Sequence, residues 1–195
     1  MSVDRHPSRQ ERHFRAGISR RGFLTRVGVA AAGSLLLPGR DAFAKSLNKE
    51  RRLTLYNTNT DEDLSFVCCP QKQYDRKLLT RFNQFLRDHR TDEAHSMDPA
   101  LLDLLYAVTV LTRSAGEYKI ISGYRATETN HMLRKASHGV AEHSLHMIGK
   151  AIDLRTDDVS SKSLQEAAIA LAQGGVGYYR SADFVHLDTG YIRTW

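Results

Sequence analysis

The most informative segment of this sequence is Ser144-Leu-His-Met-Ile-Gly-Lys-Ala-Ile-Asp-Leu154. Its last four residues are aliphatic except for Asp153, and Gly149 precedes them, which indicates a loop that enters a β-strand. Residues 183–188, Asp-Phe-Val-His-Leu-Asp, predict a second strand because Val185 and Leu187 alternate with other residue types. Successive side chains of a strand point to opposite faces, so Asp153 and His186 each lie opposite their aliphatic neighbours.

These two strands predict a metal site if they are neighbours in one sheet. His146, Asp153 and His186 would then converge on one open face. Two imidazoles and a carboxylate, with a fourth position left open, are the donor set of a catalytic Zn²⁺. For each of the three, the alternative is the ordinary role of a packed or surface side chain. Two further histidines, His138 and His143, lie near enough in sequence to line such a site.

The charge of the chain is concentrated near its N-terminus. The 195 residues carry a formal net charge of +6. Residues 1–44 hold eight arginines against three acidic residues, which leaves 20 basic and 19 acidic residues in 45–195. The larger part is therefore nearly neutral, and this balance argues against nucleic-acid binding.

Residues 1–44 are predicted to be a twin-arginine signal peptide. The basic motif Ser19-Arg-Arg-Gly-Phe-Leu-Thr25 is followed by an apolar run over residues 27–37 and by Ala42-Phe-Ala44, a small-residue cleavage site. The run is too short for a membrane helix, which needs ~20 apolar residues. We therefore expect export to the periplasm by the twin-arginine machinery, no stable membrane span after cleavage, and one domain over residues 45–195.

The remaining sequence predicts an α+β fold with a mainly antiparallel sheet flanked by helices. Strands and helices do not alternate strictly enough for a doubly wound parallel sheet. The predicted strands cover residues 53–57, 64–68, 118–122, 150–154, 177–179 and 184–188. The predicted helices cover residues 75–90, 98–111, about 127–137 and 160–171, the last capped by Ser160 or Ser161.

Five motifs follow one another along the chain: Ser122-Gly-Tyr-Arg125, Ser144-Leu-His146 with Gly149, Ala151 and Asp153, Gly174-Gly-Val-Gly-Tyr-Tyr179, Phe184-Val-His-Leu-Asp188 with Gly190, and Arg193-Thr-Trp195. With these motifs, the chain from about residue 53 to 195 resembles the YcbK/MepK-like murein endopeptidases. These are periplasmic members of the zinc D-Ala-D-Ala carboxypeptidase and hedgehog superfamily. The resemblance covers nearly all of the predicted domain.

The resemblance implies a hydrolase that cleaves peptide cross-links of peptidoglycan, with His146, Asp153 and His186 as zinc ligands. Such a reaction also needs a carboxylate that takes up and passes on a proton. Asp183 is one candidate, because related peptidases place an acid three residues before the last histidine ligand. Asp188 is the other, because it lies on the same strand face as His186, where it could instead orient that ligand. The sequence leaves this choice open.

Arg125 completes the predicted site. In the superfamily an arginine in this context holds the substrate or polarises the scissile carbonyl, a role that suits a planar fork of donors. Its neighbours Ser122 and Tyr124 are assigned to substrate binding with it. The alternative for Arg125 is a loop residue paired with a surface acid.

Two other functions stay open on the sequence alone. A D-Ala-D-Ala-type carboxypeptidase would use the same chemistry on a terminal residue, and a non-catalytic cell-wall-binding module would retain the zinc site without hydrolysis. In each case the expected partners are peptidoglycan stem peptides. The sequence indicates neither an oligomeric state nor the type of cross-link that is preferred.

Overall fold

The protein is described from a computed structural model that covers residues 49–68, 73–137 and 139–195. The described strands are β1 Arg51–Asn57, β2 Glu62–Cys68, β3 Glu117–Ser122, β4 Ala151–Arg155, β5 Gly175–Tyr179, β6 Phe184–Asp188 and β7 Arg193–Thr194. The α-helices are α1 Arg76–Phe85, α2 Ala100–Thr112, α3 Thr127–Ala136 and α4 Ser161–Leu171, and a 3₁₀ helix spans Leu145–Ile148.

The strands form one seven-stranded sheet in the order β2-β1-β3-β4-β6-β5-β7. Four of the six pairings are antiparallel, while β1 with β3 and β5 with β7 are parallel. The predicted α+β class with a mainly antiparallel sheet is therefore confirmed, with the refinement that the sheet is mixed. The parallel pairs arise because the chain returns to β1 through two helices and to β5 from the loop after β6.

The hydrophobic core lies between the sheet and the helices. Helix α2 is buried along residues 101–110, as expected for a helix that is apolar around most of its circumference, and it contacts α4. In β4 and β6, Ile152, Leu154, Val185 and Leu187 belong to this core. The side chains that alternate with them therefore face the other side of the sheet.

Side-chain hydrogen bonds to the backbone mark several of the helix boundaries. Helix α1 begins where the Asp75 side chain accepts from the Leu78 backbone N–H at 2.7 Å. Helix α4 begins where Ser160, one of the two predicted caps, accepts from the backbone N–H of Ser163. Helix α1 ends at Phe85 instead of the predicted residue 90. The chain turns there because the buried Asp88 carboxylate accepts from the backbone N–H groups of residues 90 and 126.

Other differences from the predicted elements are small. The sequence predicts Thr127 as the N-cap of α3, but Thr127 is the first residue of the helix and Ala126 occupies the capping position. The 3₁₀ helix lies in a predicted loop, and β7 lies in a stretch for which no strand was predicted. Across the three described ranges, no helix combines the length and the apolar character that crossing a bilayer requires. The predicted signal peptide lies outside these ranges.

Candidate metal centre

The sheet and the 3₁₀ helix bring the three predicted ligands together. Strands β4 and β6 are antiparallel neighbours, and Asp153 lies directly opposite His186, so the condition on which the predicted metal site depended is met. His146 reaches the same point from the 3₁₀ helix, which Ser144 caps at its start and Gly149 ends in a left-handed conformation, φ 66°. Such a φ favours glycine.

Three donor atoms of this cluster lie within hydrogen-bonding distance of one another. His146 Nε2 is 3.1 Å from Asp153 Oδ1 and 3.1 Å from His186 Nδ1, and His186 Nδ1 is 2.8 Å from Asp153 Oδ1. All three residues are buried. Among the residues that the structure describes, this is the group of histidine, cysteine and acidic side chains arranged to hold a metal ion.

The second polar atom of each side chain is already engaged. His146 Nδ1 donates to the Gly123 carbonyl at 2.6 Å, which directs the lone pair of Nε2 into the cluster. His186 Nε2 donates to Asp188 at 3.0 Å, which leaves Nδ1 facing inward. Asp153 accepts from Arg125 Nη2 at 2.5 Å through Oδ2, so Oδ1 is directed at the histidines. Two imidazole nitrogens and one carboxylate oxygen at one point fit zinc.

Buried carboxylates dominate the electrostatics of the cluster. Burial opposes the charged form of Asp153, but the two histidines outweigh it and hold its pKa well below the usual range. Burial lowers the pKa of His146. Burial acts in the same direction on His186, yet hydrogen bonds to Asp153 and Asp188 raise the pKa of His186 to about 9. Without a metal ion, a proton on His186 therefore adds to the positive charge that Arg125 and Arg193 already supply to the two carboxylates.

Asp188 is a fully buried support for His186. Its carboxylate accepts from the backbone N–H groups of Gly175 at 2.9 Å and Gly190 at 2.8 Å and from Arg193 Nη2 at 2.6 Å. Burial raises the pKa of Asp188, but His186 and Arg193 outweigh this effect and bring it to about 2. The ionised carboxylate thus fixes the tautomer and the orientation of the imidazole.

The other candidate carboxylate, Asp183, is exposed in the turn between β5 and β6. Its φ of 49° is left-handed, an unusual conformation for a residue other than glycine that aspartate adopts more readily than most. Strand alternation would place Asp183 on the core side of β6. The left-handed backbone interrupts this alternation immediately before the strand begins.

Two of the predicted substrate-binding residues join the cluster, and one does not. Arg125 Nε donates to Ser122 Oγ at 2.9 Å, so these residues and Asp153 form one connected group. The Tyr124 ring instead stacks on His95 with centroids 4.8 Å apart, and its hydroxyl donates to Glu93 at 3.3 Å. The described contacts of Tyr124 therefore lend no support to a role in substrate binding, which stays a prediction.

The cluster lies at the floor of an open cleft of about 500 Å³. Its lining includes aliphatic side chains from α3, from the loop after it and from the 3₁₀ helix, namely Leu133, Val140 and Leu145. It also includes an aromatic wall formed by Tyr179, Phe184 and Trp195. Of the two further histidines that lie near enough in sequence to line the site, His143 lines the cleft, and His138 lies outside the described residues.

Sequence reasoning did not assign a role to the end of the chain. Arg193 and Trp195 both line the cleft, and Arg193 supports Asp188. The motif Arg193-Thr-Trp195 was a visible signal. The position of these residues at the cleft depends on the parallel pairing of β7 with β5. A strand of two residues is too short to be predicted from a sequence pattern.

The chain is similar to one family of known proteins. The model of one protein family, described as "Peptidoglycan L,D-endopeptidase MepK", matches residues 45–195. The chain is 40% identical over 170 residues to the "Probable peptidoglycan L,D-endopeptidase MepK" of Haemophilus influenzae, covering 87% of this chain and 91% of that protein. It is 37% identical over 172 residues to the "Peptidoglycan L,D-endopeptidase MepK" of Escherichia coli K12, covering 88% and 94%.

No solved structure shows a significant match. The relatives nonetheless extend over most of both chains, and the family model covers all of the motifs from Ser122 to Trp195. The resemblance inferred from those motifs is therefore confirmed. This chain belongs to the family of the peptidoglycan L,D-endopeptidase MepK.

Proposed function

We propose that this protein is an exported, zinc-dependent murein endopeptidase that hydrolyses peptide cross-links of peptidoglycan in cell-wall remodelling. The observation that carries the proposal is the convergence of His146 Nε2, Asp153 Oδ1 and His186 Nδ1 in an open cleft. The relatives are named peptidoglycan endopeptidases, and this name supports the same substrate class here.

The residues of the cleft have different roles in the proposed amide hydrolysis. Zinc held by His146, Asp153 and His186 would supply a Lewis acid that activates water and polarises the scissile carbonyl. Arg125 is anchored through Nε and Nη2 to Ser122 and Asp153. Its Nη1 remains to donate to a substrate carboxylate or to the oxygen on which negative charge develops.

Asp183 is the better candidate for proton transfer. The Asp188 carboxylate is fully buried and receives donors from His186, Arg193 and two backbone N–H groups, which suits it to hold His186. Asp183 is exposed, has no hydrogen bond of this kind to any residue that the structure describes, and lies directly before the strand that carries His186. We assign Asp183 to accept and return the proton and Asp188 to position the ligand.

The L,D-endopeptidase names of the relatives favour one cross-link type. A bond between D-Ala and diaminopimelate joins two D-centres, whereas a bond between two diaminopimelates joins an L-centre to a D-centre. We therefore propose the diaminopimelate–diaminopimelate cross-link as the preferred substrate.

We further propose that the protein acts in the periplasm after twin-arginine export. Peptidoglycan lies in that compartment, and the match to the family begins at residue 45, directly after the predicted cleavage site. The partners of the domain are then stem peptides and, during export, the twin-arginine machinery.

The test is chromatographic. Residues 45–195 are incubated with purified cross-linked dimers of both types, with zinc and with a chelator, and the products are identified. We expect zinc-dependent conversion of the diaminopimelate–diaminopimelate dimer to monomers. The His146→Ala variant should lose zinc and activity, whereas His131→Ala, which removes an exposed histidine of α3, should retain both.

Other outcomes would contradict parts of the proposal. Trimming of an uncross-linked pentapeptide without dimer cleavage would indicate a carboxypeptidase. Binding of either dimer by a folded, zinc-loaded protein without any cleavage would indicate a binding module. Full activity of His146→Ala would show that the assigned metal centre is wrong.

A further inference from the structure

Trp195 is the single tryptophan of the chain and forms part of the aromatic wall of the cleft. The centroid of its ring lies 5.2 Å from that of the His186 imidazole. The residue nevertheless keeps 49% of its surface exposed. A large aromatic surface is thus open directly beside a predicted metal ligand.

The indole is held in place by its surroundings. Backbone hydrogen bonds join Tyr178 N–H to the Trp195 carbonyl at 3.1 Å and Trp195 N–H to the Val176 carbonyl at 3.3 Å. The ring lies over Gly177, where an added Cβ would come within 2.5 Å of it. Strand β5 therefore needs a glycine there because the indole occupies the place of a side chain.

Two polar contacts fix the ring further. Nε1–H donates to the Tyr179 hydroxyl at 3.2 Å, and the Arg193 guanidinium lies 5.0 Å from the ring centroid, within the range of a cation–π contact. Arg193 is itself anchored to Asp188. The orientation of the indole is thus tied to the network that supports His186.

An indole that only completed the core would be mostly buried. For an exposed indole that contacts no ligand, fixing the ring by several contacts would have no evident function. A rigid apolar surface that is open to a cleft binds with a small loss of conformational freedom. We propose that Trp195 is a substrate-contacting residue that determines specificity, with its indole face packed against an aliphatic segment of the stem peptide beside the scissile bond. The inference rests on the proposed function.

The cleft lining indicates the chemistry of the segment. It combines aliphatic Leu133, Val140 and Leu145 with aromatic Tyr179 and Phe184, which stack on each other with centroids 4.5 Å apart. A methylene chain such as that of diaminopimelate would meet apolar side chains on this lining, and Arg125 lines the same cleft as a partner for a charged group. A substrate residue with a shorter side chain would leave the indole face uncovered.

Fluorescence tests the contact directly, because Trp195 supplies all tryptophan emission. The chelator-treated protein is titrated with the diaminopimelate–diaminopimelate dimer, and the zinc-loaded protein is mixed with the same dimer in a stopped-flow instrument. We expect a change in emission and reduced quenching by acrylamide in at least one of the two forms. If both forms gave unchanged emission and quenching at dimer concentrations well above KM, the contact would be excluded.

Substitution separates substrate contact from support of the metal ligand. For Trp195→Ala we expect kcat/KM for the dimer to fall on the order of tenfold or more, with zinc affinity within about twofold of the original. The control is Ile192→Ala, which truncates a side chain that is 67% exposed in the same terminal segment and should keep full activity. Unchanged kcat/KM of Trp195→Ala, or a loss explained by weaker zinc binding, would overturn the inference.

These outcomes are separate from those of the proposed function. If the original protein cleaved no dimer, the proposed function would fail, and a fluorescence change on dimer binding would still support the contact. If the original protein cleaved the dimer and Trp195→Ala cleaved it equally well, only the inference about Trp195 would fail.

Discussion

At the scale of single residues, the two histidines of the candidate centre present opposite ring nitrogens to it, Nε2 of His146 and Nδ1 of His186. His146 donates from Nδ1 to a backbone carbonyl, and His186 donates from Nε2 to a carboxylate. The first partner is neutral and the second is charged, so the two imidazoles differ in basicity as well as in orientation. A change at Asp188 should therefore affect His186 much more than His146.

This asymmetry predicts different effects for the two candidate carboxylates. Asp188→Asn replaces an ionised acceptor by an amide, so we expect zinc affinity to fall by about 10- to 100-fold. Asp183→Asn should keep zinc affinity and lower kcat by about 10²- to 10⁴-fold if Asp183 carries the proton. Competition with a chromophoric chelator measures the first effect and dimer hydrolysis the second. If Asp183→Asn weakened zinc binding and Asp188→Asn lowered only kcat, the assignment would be reversed, with Asp188 as the proton carrier and Asp183 as the support of the ligand.

The pKa of His186 predicts how zinc binding depends on pH. The usual value of 6.5 is raised to about 9 in the metal-free protein, so the imidazole is protonated at neutral pH and must lose this proton to bind a metal ion. Apparent zinc affinity should rise about tenfold per pH unit above neutral pH and level off near pH 9. Calorimetry in buffers of different ionisation enthalpy should show about one proton released per zinc at pH 7.

The metal-free protein should show the opposite trend in stability. A raised pKa in the folded state means that the stabilisation from protonated His186 is fully present below pH 6.5 and is lost as pH rises through about 9. Chemical denaturation of the metal-free protein between about pH 6 and pH 10 measures this trend. If stability did not fall over this range, and if zinc uptake released no proton, the assignment of a protonated His186 would be wrong.

At the scale of secondary structure elements, the 3₁₀ helix at Leu145–Ile148 sets the position of His146. Gly149 ends it with φ 66°, and an added Cβ would overlap the Ser96 carbonyl oxygen. Asp98 N–H also donates to the Gly149 carbonyl at 2.8 Å. The junction between this helix and β4 is therefore packed against the segment that precedes α2.

Gly149→Ala should disturb both the fold and the metal centre. A left-handed alanine that also meets a backbone oxygen should lower the free energy of unfolding by at least about 2 kcal/mol, and displacement of the helix should weaken zinc binding. Gly139→Ala is the matched control for stability, because its added Cβ meets nothing closer than 3.7 Å. Chemical denaturation measures both variants. Equal stability of the two would contradict the packing described for the junction.

The elements also show what the sequence could and could not predict. Alternation in β4 and β6 placed Asp153 and His186 on one face, because a period of two residues is a local property of a strand. The end of α1 depends on Asp88, whose partner at residue 126 is distant in sequence. The contribution of Arg193 and Trp195 depends on β7 pairing with β5. Contacts of this kind become visible only when the sheet is assembled.

At the scale of the whole molecule, the sheet separates the core from the candidate centre. One face of β4 and β6 packs into the hydrophobic cluster, and the other carries the ligands at the floor of the cleft. His146 enters from a separate 3₁₀ helix, so a metal ion would link three segments that lie up to 40 residues apart in sequence. Metal binding is therefore expected to stabilise the folded domain as well as to support catalysis.

Zinc should raise the thermal unfolding temperature of residues 45–195. A ligand that binds only the folded state contributes about 2.7 kcal/mol at 100 times its Kd, and each kcal/mol corresponds to roughly 2–4 °C in a domain of this size. We therefore expect Tm to rise by about 5–10 °C with zinc and to return to its original value with a chelator. His146→Ala should show no such rise, and His131→Ala should show all of it. Because this measurement requires no substrate, it is independent of the hydrolysis assay. An unchanged Tm in a sample shown to bind zinc would mean that the unfolded chain binds the ion as tightly as the folded domain, which would contradict a centre that folding assembles from His146, Asp153 and His186.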